Sequence, residues 1–298
     1  NLSFGFSANM NENVNYVKNL GTETTAGKGE WQFTLAPDLD YSYSKDSFST
    51  NVYYFGSTQQ PSNSQMSPTL NLGNPTMISA GNIYLKQYMY HYLGGYVRHN
   101  NRENFSYVNA RFSGNMEQNA IVQASWFDRN AIRYSVPVNS RKPSYRLSGT
   151  LTYNQPFGEK RYWTFSTYAD VSYSASAGYQ AKEELEGMDI EEFDYNDFMS
   201  EFWGNSSGDR FYSGDSGFSE SKMTTLHYAL DLGLKYQRDR FNASVHAYGR
   251  NQISKYSLDP DANADTWMHS YSFDAMYTTL KNWEFSTKIN ANFYIGYS

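Results

Sequence analysis

Cysteine is absent from all 298 residues, which removes disulfide scaffolds, thiolate metal sites and cysteine nucleophiles together. That absence fits an oxidising compartment without requiring one. No segment approaches the ~18 consecutive apolar residues of a membrane-crossing helix. Charged residues make up only 18% of the chain, and a formal net charge of -6 with a pI near 5.4 argues against nucleic acid as a partner, because a phosphate-binding surface should be basic. Catalytic signatures are missing too. The five histidines (His91, His99, His227, His246 and His269) are scattered, with no HExxH and no G-x-S-x-G elbow. No catalytic residue is assigned and no enzyme is expected. A signal peptide is not visible at Asn1, and the opening NLSFGF is already in strand rhythm, as expected of a processed or truncated chain.

What the chain has in abundance is aromatic rings: 28 tyrosines, and 18% aromatic residues overall, against a mean hydropathy of -0.72. Apolar side chains are plentiful but never continuous, because they recur at every second position. From Trp163 to Tyr173 one phase reads Trp163, Phe165, Thr167, Ala169, Val171, Tyr173 and the other Thr164, Ser166, Tyr168, Asp170, Ser172. Successive strand side chains point to opposite faces, so such a segment has one apolar and one polar face. The rhythm returns from Leu226 to Tyr236 and from Trp283 to Tyr297. These runs exceed the ~5–6 residues of an ordinary strand and match the ~9–11 of a tilted strand crossing a bilayer. In lipid every backbone polar group needs an internal partner, and a closed barrel is the sheet that supplies one all round. The fold expected is therefore all-β, a transmembrane antiparallel up-and-down barrel whose polar lumen face lowers the overall hydropathy.

Turn segments sort into two classes. Short polar links are expected at 44–47, 98–104, 155–161, 237–240 and 278–282, and long ones at 11–30, 57–79, 177–221 and 251–265. They alternate if Phe105 to Phe127 and Ile132 to Asn154 are each one long strand joined above the membrane at 128–131. Outer-membrane barrels have short periplasmic turns and long external loops, so the alternation assigns sidedness. About eleven strands result, an odd count where single-chain bacterial barrels are even, which implies a fragment or a miscounted hairpin. Both long strands lose phase midway, as a bulge or an exit from lipid would cause, and the Ile132 to Val138 set reads as part of a hairpin projecting beyond the bilayer.

The run YFGSTQQPSNSQMSPTLNLGNPTMISAGNIYLK at 54–86 resembles the barrel signature of the outer-membrane β-barrel family related to TonB-dependent receptors of the Bacteroides group. The matching residues are Gln60, Pro61 and Ser62, then Asn74 and Pro75, then Gly81, Asn82, Leu85 and Lys86, with Ile83 where the last block usually carries proline. AIVQASWFDRNAIRYSVPVN at 120–139 and DTWMHSYSFDAMY at 265–277 are similar to later hairpins of that family. The resemblance implies the wall of a roughly 22-stranded transporter barrel in the bacterial outer membrane. The partners expected are the lipid bilayer with lipopolysaccharide, TonB through a plug domain absent from residues 1–298, and, docking on the long acidic loop, a surface lipoprotein. Import of an unidentified nutrient is the expected function. The rival is a non-transporting barrel that serves as scaffold in a surface complex. A soluble all-β binding protein, the minor rival, requires Trp163, Leu232 and Ile289 to be buried against protein.

The long segment 177–221 mixes acids with rings and reads as a short amphipathic helix followed by a flexible Gly-Ser stretch at 204–221. Glu191, Glu192, Phe193, Phe198, Phe202 and Trp203 are its candidate substrate or partner surface, against the alternative of a solvated variable loop. Trp31, Trp163, Trp267 and Trp283 stand near strand ends in the apolar phase, as an aromatic girdle at headgroup level would. Sugar-stacking rings should instead lie in the polar phase or on loops, where Tyr84, Tyr88, Tyr90 and Tyr92 are candidates. Finally, Asp259, Asp261, Asn263 and Asp265 have the alternate spacing of calcium ligands. Ala264 replaces the turn glycine and no closing Glu follows, so a solvated turn competes with calcium, the one cofactor considered.

Overall fold

The computed structural model describes residues 2–13, 17–19, 22–24, 30–181, 183–188 and 190–296, and side chains from 2–8 and from 34 onward within those ranges. The strands are β1 (Leu2–Asn13), β2 (Val17–Asn19), β3 (Thr22–Thr24), β4 (Glu30–Lys45), β5 (Phe48–Gln59), β6 (Leu70–Asn74), β7 (Met77–Ala80), β8 (Tyr88–Asn100) and β9 (Tyr107–Gln118). They continue as β10 (Ile121–Phe127), β11 (Arg133–Asn139), β12 (Ser144–Phe157), β13 (Trp163–Ala181), β14 (Phe218–Arg238), β15 (Phe241–Tyr256), β16 (Ala264–Thr278) and β17 (Glu284–Ile295). Short helices are α1 (Asn63–Met66), α2 (Tyr195–Phe202) and α3 (Asp209–Ser213). Among the described residues no helix is long and apolar enough to cross a membrane.

A wall of eleven antiparallel strands runs β1, β4, β5, β8, β9, β12, β13, β14, β15, β16, β17, each paired with the next. β1 and β17 do not pair with each other, so the described wall is open. Each short link turns through a left-handed non-glycine residue: Asp46, Phe105, Arg161, Asp239 and Asn282 all have φ between 48° and 60°, with Gly158 at φ 84° in the same link as Arg161. Asp and Asn tolerate that region; Phe and Arg do so only when surroundings hold them. Here Arg161 lies 4.5 Å over the Phe105 ring and donates to the Glu103 carbonyl at 2.6 Å, so two neighbouring turns brace each other.

The two strands expected to be continuous are each broken. β9 ends at Gln118, Asn119 takes φ 61°, and the chain restarts as β10; β11 and β12 are likewise separated at 140–143. The slip in phase marks this departure. β10 and β11 form a hairpin that leaves the wall, with β10 parallel to the far end of β13 (Ala124 opposite Tyr179) and β11 parallel to β7. Together with β6, β7, α2 and α3 this hairpin builds a cap on the long-loop end, and the chain's one dense hydrophobic cluster among the described residues sits there.

Candidate functional site

Register divides the wall into two faces. One cross-strand row reads Gly95, Phe112, Gly149, Val171, Tyr228; another reads Leu93, Gly114, Leu147, Tyr173, Leu226. Further round, Leu232, Ala247, Tyr271 and Ala291 share a row, and Leu234, Val245, Phe273 and Ile289 another. This apolar face is exposed along the wall, and the opposite face is open as well, with Tyr168 43% and Phe55 40% exposed. Trp163 is 40% exposed, Leu232 40% and Ile289 61%, while Ala229 on the opposite face of β14 is 4% exposed. A soluble protein buries its apolar face, so the soluble rival fails on the residues it depended on.

The opposite face is polar: Asp38 and Asp40 on β4, Arg98 on β8, Arg111 on β9, Arg146 on β12, Asp170 on β13, Asp231 on β14, and His246 and Arg250 on β15. Two histidine–carboxylate pairs stand on it, His227 to Asp170 at 3.0 Å and His246 to Asp231 at 3.3 Å. His269 lies instead on the apolar face, stacked on Trp267 at 5.8 Å. All three histidines are in the phases expected from sequence.

Aromatic rings crowd the short-turn end of the apolar face. Phe157 stacks on Trp163 at 6.3 Å, Trp163 meets Tyr236 at 4.8 Å, and Tyr236 meets Phe241 at 6.1 Å. Trp283 stands exposed in the turn before β17. At the far end Tyr145 and Tyr173 pair at 5.9 Å, so the apolar band of β13 runs eleven residues from Trp163 to Tyr173, matching a tilted strand across lipid. Trp267 lies toward that far end, against Tyr228. The side chain of Trp31 lies outside the described residues. Phe157, Tyr236 and Phe241 were not among the girdle candidates, although each adjoins a short turn.

In the cap, the loop candidates separate. Glu191 and Glu192 are exposed, and Phe193 and Phe198 are half-buried. Phe202 and Trp203, expected on a docking surface, are core. Phe202 contacts Phe211 at 5.1 Å and Phe218 at 5.4 Å and stacks on Trp126 at 6.2 Å. Trp203, 2% exposed, stacks on Phe211 at 5.5 Å and lies parallel to Tyr84 at 6.5 Å. Tyr84 is thereby a cap residue, whereas Tyr90 and Tyr92 lie on the polar face of β8. α2 forms because Asp194 caps it, accepting from Asn196 and Asp197 amides, and because Tyr195, Met199 and Phe202 fall on one side. The stretch expected to be flexible is built: Gly204, Gly208, Gly214 and Gly217 all take φ between 72° and 89°, and they bracket α3 so that Phe211 points into the core. β13 and β14 also extend into the expected loop, which shrinks to 182–217.

Asn82 and Lys86, two of the residues that carry the family resemblance, clasp segment 60–86 to β11. Ser62 and the Gln65 side chain make a capping box at α1. Gly81 has no room for a Cβ, which would meet the Gln65 carbonyl oxygen at 2.8 Å. Asn82, fully buried, donates to the Pro137 carbonyl at 3.1 Å and accepts from the Tyr84 amide at 2.9 Å. Asn139 answers from β11, accepting from the Lys86 amide at 2.8 Å and donating to its carbonyl at 2.9 Å. This role of Asn139 is not visible in the sequence, since Lys86 lies 53 residues away.

The calcium candidates do not converge. Asn263 Oδ1 accepts from the Tyr256 amide at 2.7 Å, and Asp265 Oδ1 accepts from Asn251 at 2.5 Å. Among the described residues no three acidic or imidazole side chains gather as a metal site would.

The fold and the division of faces define a class: the wall of a transmembrane β-barrel, the architecture of bacterial outer membranes. No known protein family matches the chain, and no curated protein matches it. Among solved structures it is similar to the beta domain of the Bordetella autotransporter Brka, at 10% identity and a TM-score of 0.27, covering 89% of this chain and 90% of that one.

Proposed function

We propose that this chain is the wall of a bacterial outer-membrane receptor of the kind related to TonB-dependent receptors, part of a roughly 22-stranded barrel, taking up a polar nutrient. The observation that carries the reading is the polar face, which crosses the wall strands with hydrogen-bonding and ionisable side chains opposite an exposed apolar face. A solute crossing lipid needs such a lining. The clasp supports the family resemblance, because Gly81, Asn82 and Lys86 of that motif each have a mechanical task in it. The apolar band between Trp163 and Tyr173 faces lipid, the aromatic belt at the short-turn end sits at the periplasmic interface, and the cap faces outward beside lipopolysaccharide. Energised import requires a plug and contact with TonB, which the described residues do not supply.

The cap favours a second reading, a scaffold. A packed outer layer with its own core is a stable platform for a surface lipoprotein, and Glu191 and Glu192 are exposed upon it. Intact mass and sequence of the parent polypeptide from a detergent-extracted outer-membrane preparation test both. A longer parent with a plug, whose solute uptake collapses on dissipating the proton gradient, supports transport. A parent of about this size that co-purifies with a stoichiometric lipoprotein refutes transport and leaves the scaffold.

A further inference from the structure

The polar face is unevenly built where β5, β8, β9, β12 and β13 cross. One row reads Tyr53, Gly94, Ser113, Ser148, Ser172, so beyond Tyr53 it carries only glycine and serine. The row on one side carries Tyr92 and Arg146, and the row on the other carries Tyr96 and Arg111. A line of small side chains between two lines of large ones is a trough running across the strands. Four strand spacings of ~4.8 Å give it a length of ~19 Å. A recess of about 540 Å³ lies in it, lined by Tyr53, Tyr92, Tyr96, Arg111, Ser113 and Ser148, with Arg98 at its rim 5.4 Å over the Tyr96 ring.

The charged side chains that line the recess itself, Arg98 and Arg111, are both basic. Among the described residues no carboxylate lies within ion-pair distance of Arg98, Arg111 or Arg146. Of the acids that share the face, Asp170, in the row of Arg111, is held by His227, and Asp40 accepts from Asn51 at 3.0 Å; Asp38 stands at the far end of the row of Arg146, and Glu117 lies in the next row on the same face of β9. Unneutralised guanidinium groups on a confined face attract an anion, and their planar fork suits a carboxylate or sulfate. The trough floor offers hydroxyls, Ser113 and Ser148 being 2.6 Å apart. Its backbone is committed to the ladder, so an extended peptide finds no edge to join. Phe55, Tyr92 and Tyr53 are already stacked on one another at 5.1 and 5.7 Å, which leaves the outer face of Tyr53 rather than an open slot for bases.

We propose that this trough binds an anionic oligosaccharide, one bearing uronate or sulfate groups. Sugar C–H faces pack on Tyr53 and Tyr96, sugar hydroxyls bond Ser113 and Ser148, and the anionic groups meet Arg111 and Arg146. The inference rests on the reading that this face lines the barrel lumen.

Titration calorimetry on the full-length protein in detergent micelles tests it with three probes: a uronate trisaccharide, a neutral trisaccharide of the same size and a trinucleotide. The uronate should bind at least about 10-fold more tightly than the neutral sugar, and R111Q and R146Q should each weaken it by about 10-fold, the worth of a charged hydrogen bond. Y53A should weaken both sugars. If the variants do not fold, salt decides: uronate affinity in the native protein should fall several-fold between 50 and 300 mM salt. Equal affinity for the two sugars, tighter binding of the trinucleotide, or salt-independent uronate binding overturns the proposal. Uronate binding without uptake refutes the transport reading alone, whereas uptake of another solute with no uronate binding refutes this inference alone.

Discussion

Replacing Leu232 with arginine separates a lipid-facing wall from a water-facing one by magnitude. Leu232 lies on the apolar face of β14, opposite Thr167 and Ala247, and Thr167 is midway between the ends of the apolar band at Trp163 and Tyr173. At that depth an arginine on the lipid face costs ~2–4 kcal/mol. At 1.4 kcal/mol per decade this is about 30- to 700-fold in the folding equilibrium. On a sheet facing water the same change at a side chain 40% exposed would stay within about 0.5 kcal/mol. Ser270 supplies the control, since it lies on the polar face in the cross-strand row of Tyr248, Asp231 and Tyr168. Ser270→Arg should stay within about 0.5 kcal/mol at the same depth. Reversible denaturant unfolding in phospholipid vesicles, followed by tryptophan emission, gives both values from shifts in midpoint at constant slope. Equal, small effects at the two positions would refute the assignment of faces and with it the membrane reading.

The cap should unfold on its own terms. Phe211→Ala, which removes a ring 2% exposed between Tyr179, Phe202, Trp203 and Phe218, should destabilise the cap by about 3–5 kcal/mol. Hydrogen exchange would report this as lost protection in α2, α3 and β10 with wall amides unchanged; uniform loss across the wall would contradict a separate cap core. Alkali should open the same region. The Tyr195 and Tyr212 phenols are pushed up to about 12 from 10.0, chiefly by burial, so the stability they contribute is intact below pH 10 and is lost as pH rises through 12. Near-ultraviolet circular dichroism that stays flat to pH 12 would count against their burial. Asn82→Ala should cost about 1–3 kcal/mol by leaving the Tyr84 amide and the Pro137 carbonyl short of a partner, read as earlier proteolysis of 60–86. Chelator should leave the melting temperature unchanged, because Asn263 and Asp265 already have protein partners; a fall on chelation, reversed by calcium, would restore the site.

Much of the wall was determined by sequence alone. A period of two is a local property, so the faces of β13, β14 and β17, the phases of His227, His246 and His269, and the alternation of short and long links could be read without knowing any partner strand. The loss of phase after Phe105 and before Tyr145 was visible too, but where it led was not. Whether a slip is a bulge in one strand or the break between β9 and β10 depends on Ala124 meeting Tyr179, 55 residues on. Tertiary structure alone placed Phe202 and Trp203 in a core, since amphipathic spacing says that α2 has an apolar side but not what covers it. It alone turned Asn82 and Asn139 into a clasp, and it alone aligned Tyr53 with Gly94, Ser113 and Ser148. Cross-strand neighbours are set by register between segments tens of residues apart, and a sequence read in one dimension fixes what each face carries but not which side chains of different strands share a row.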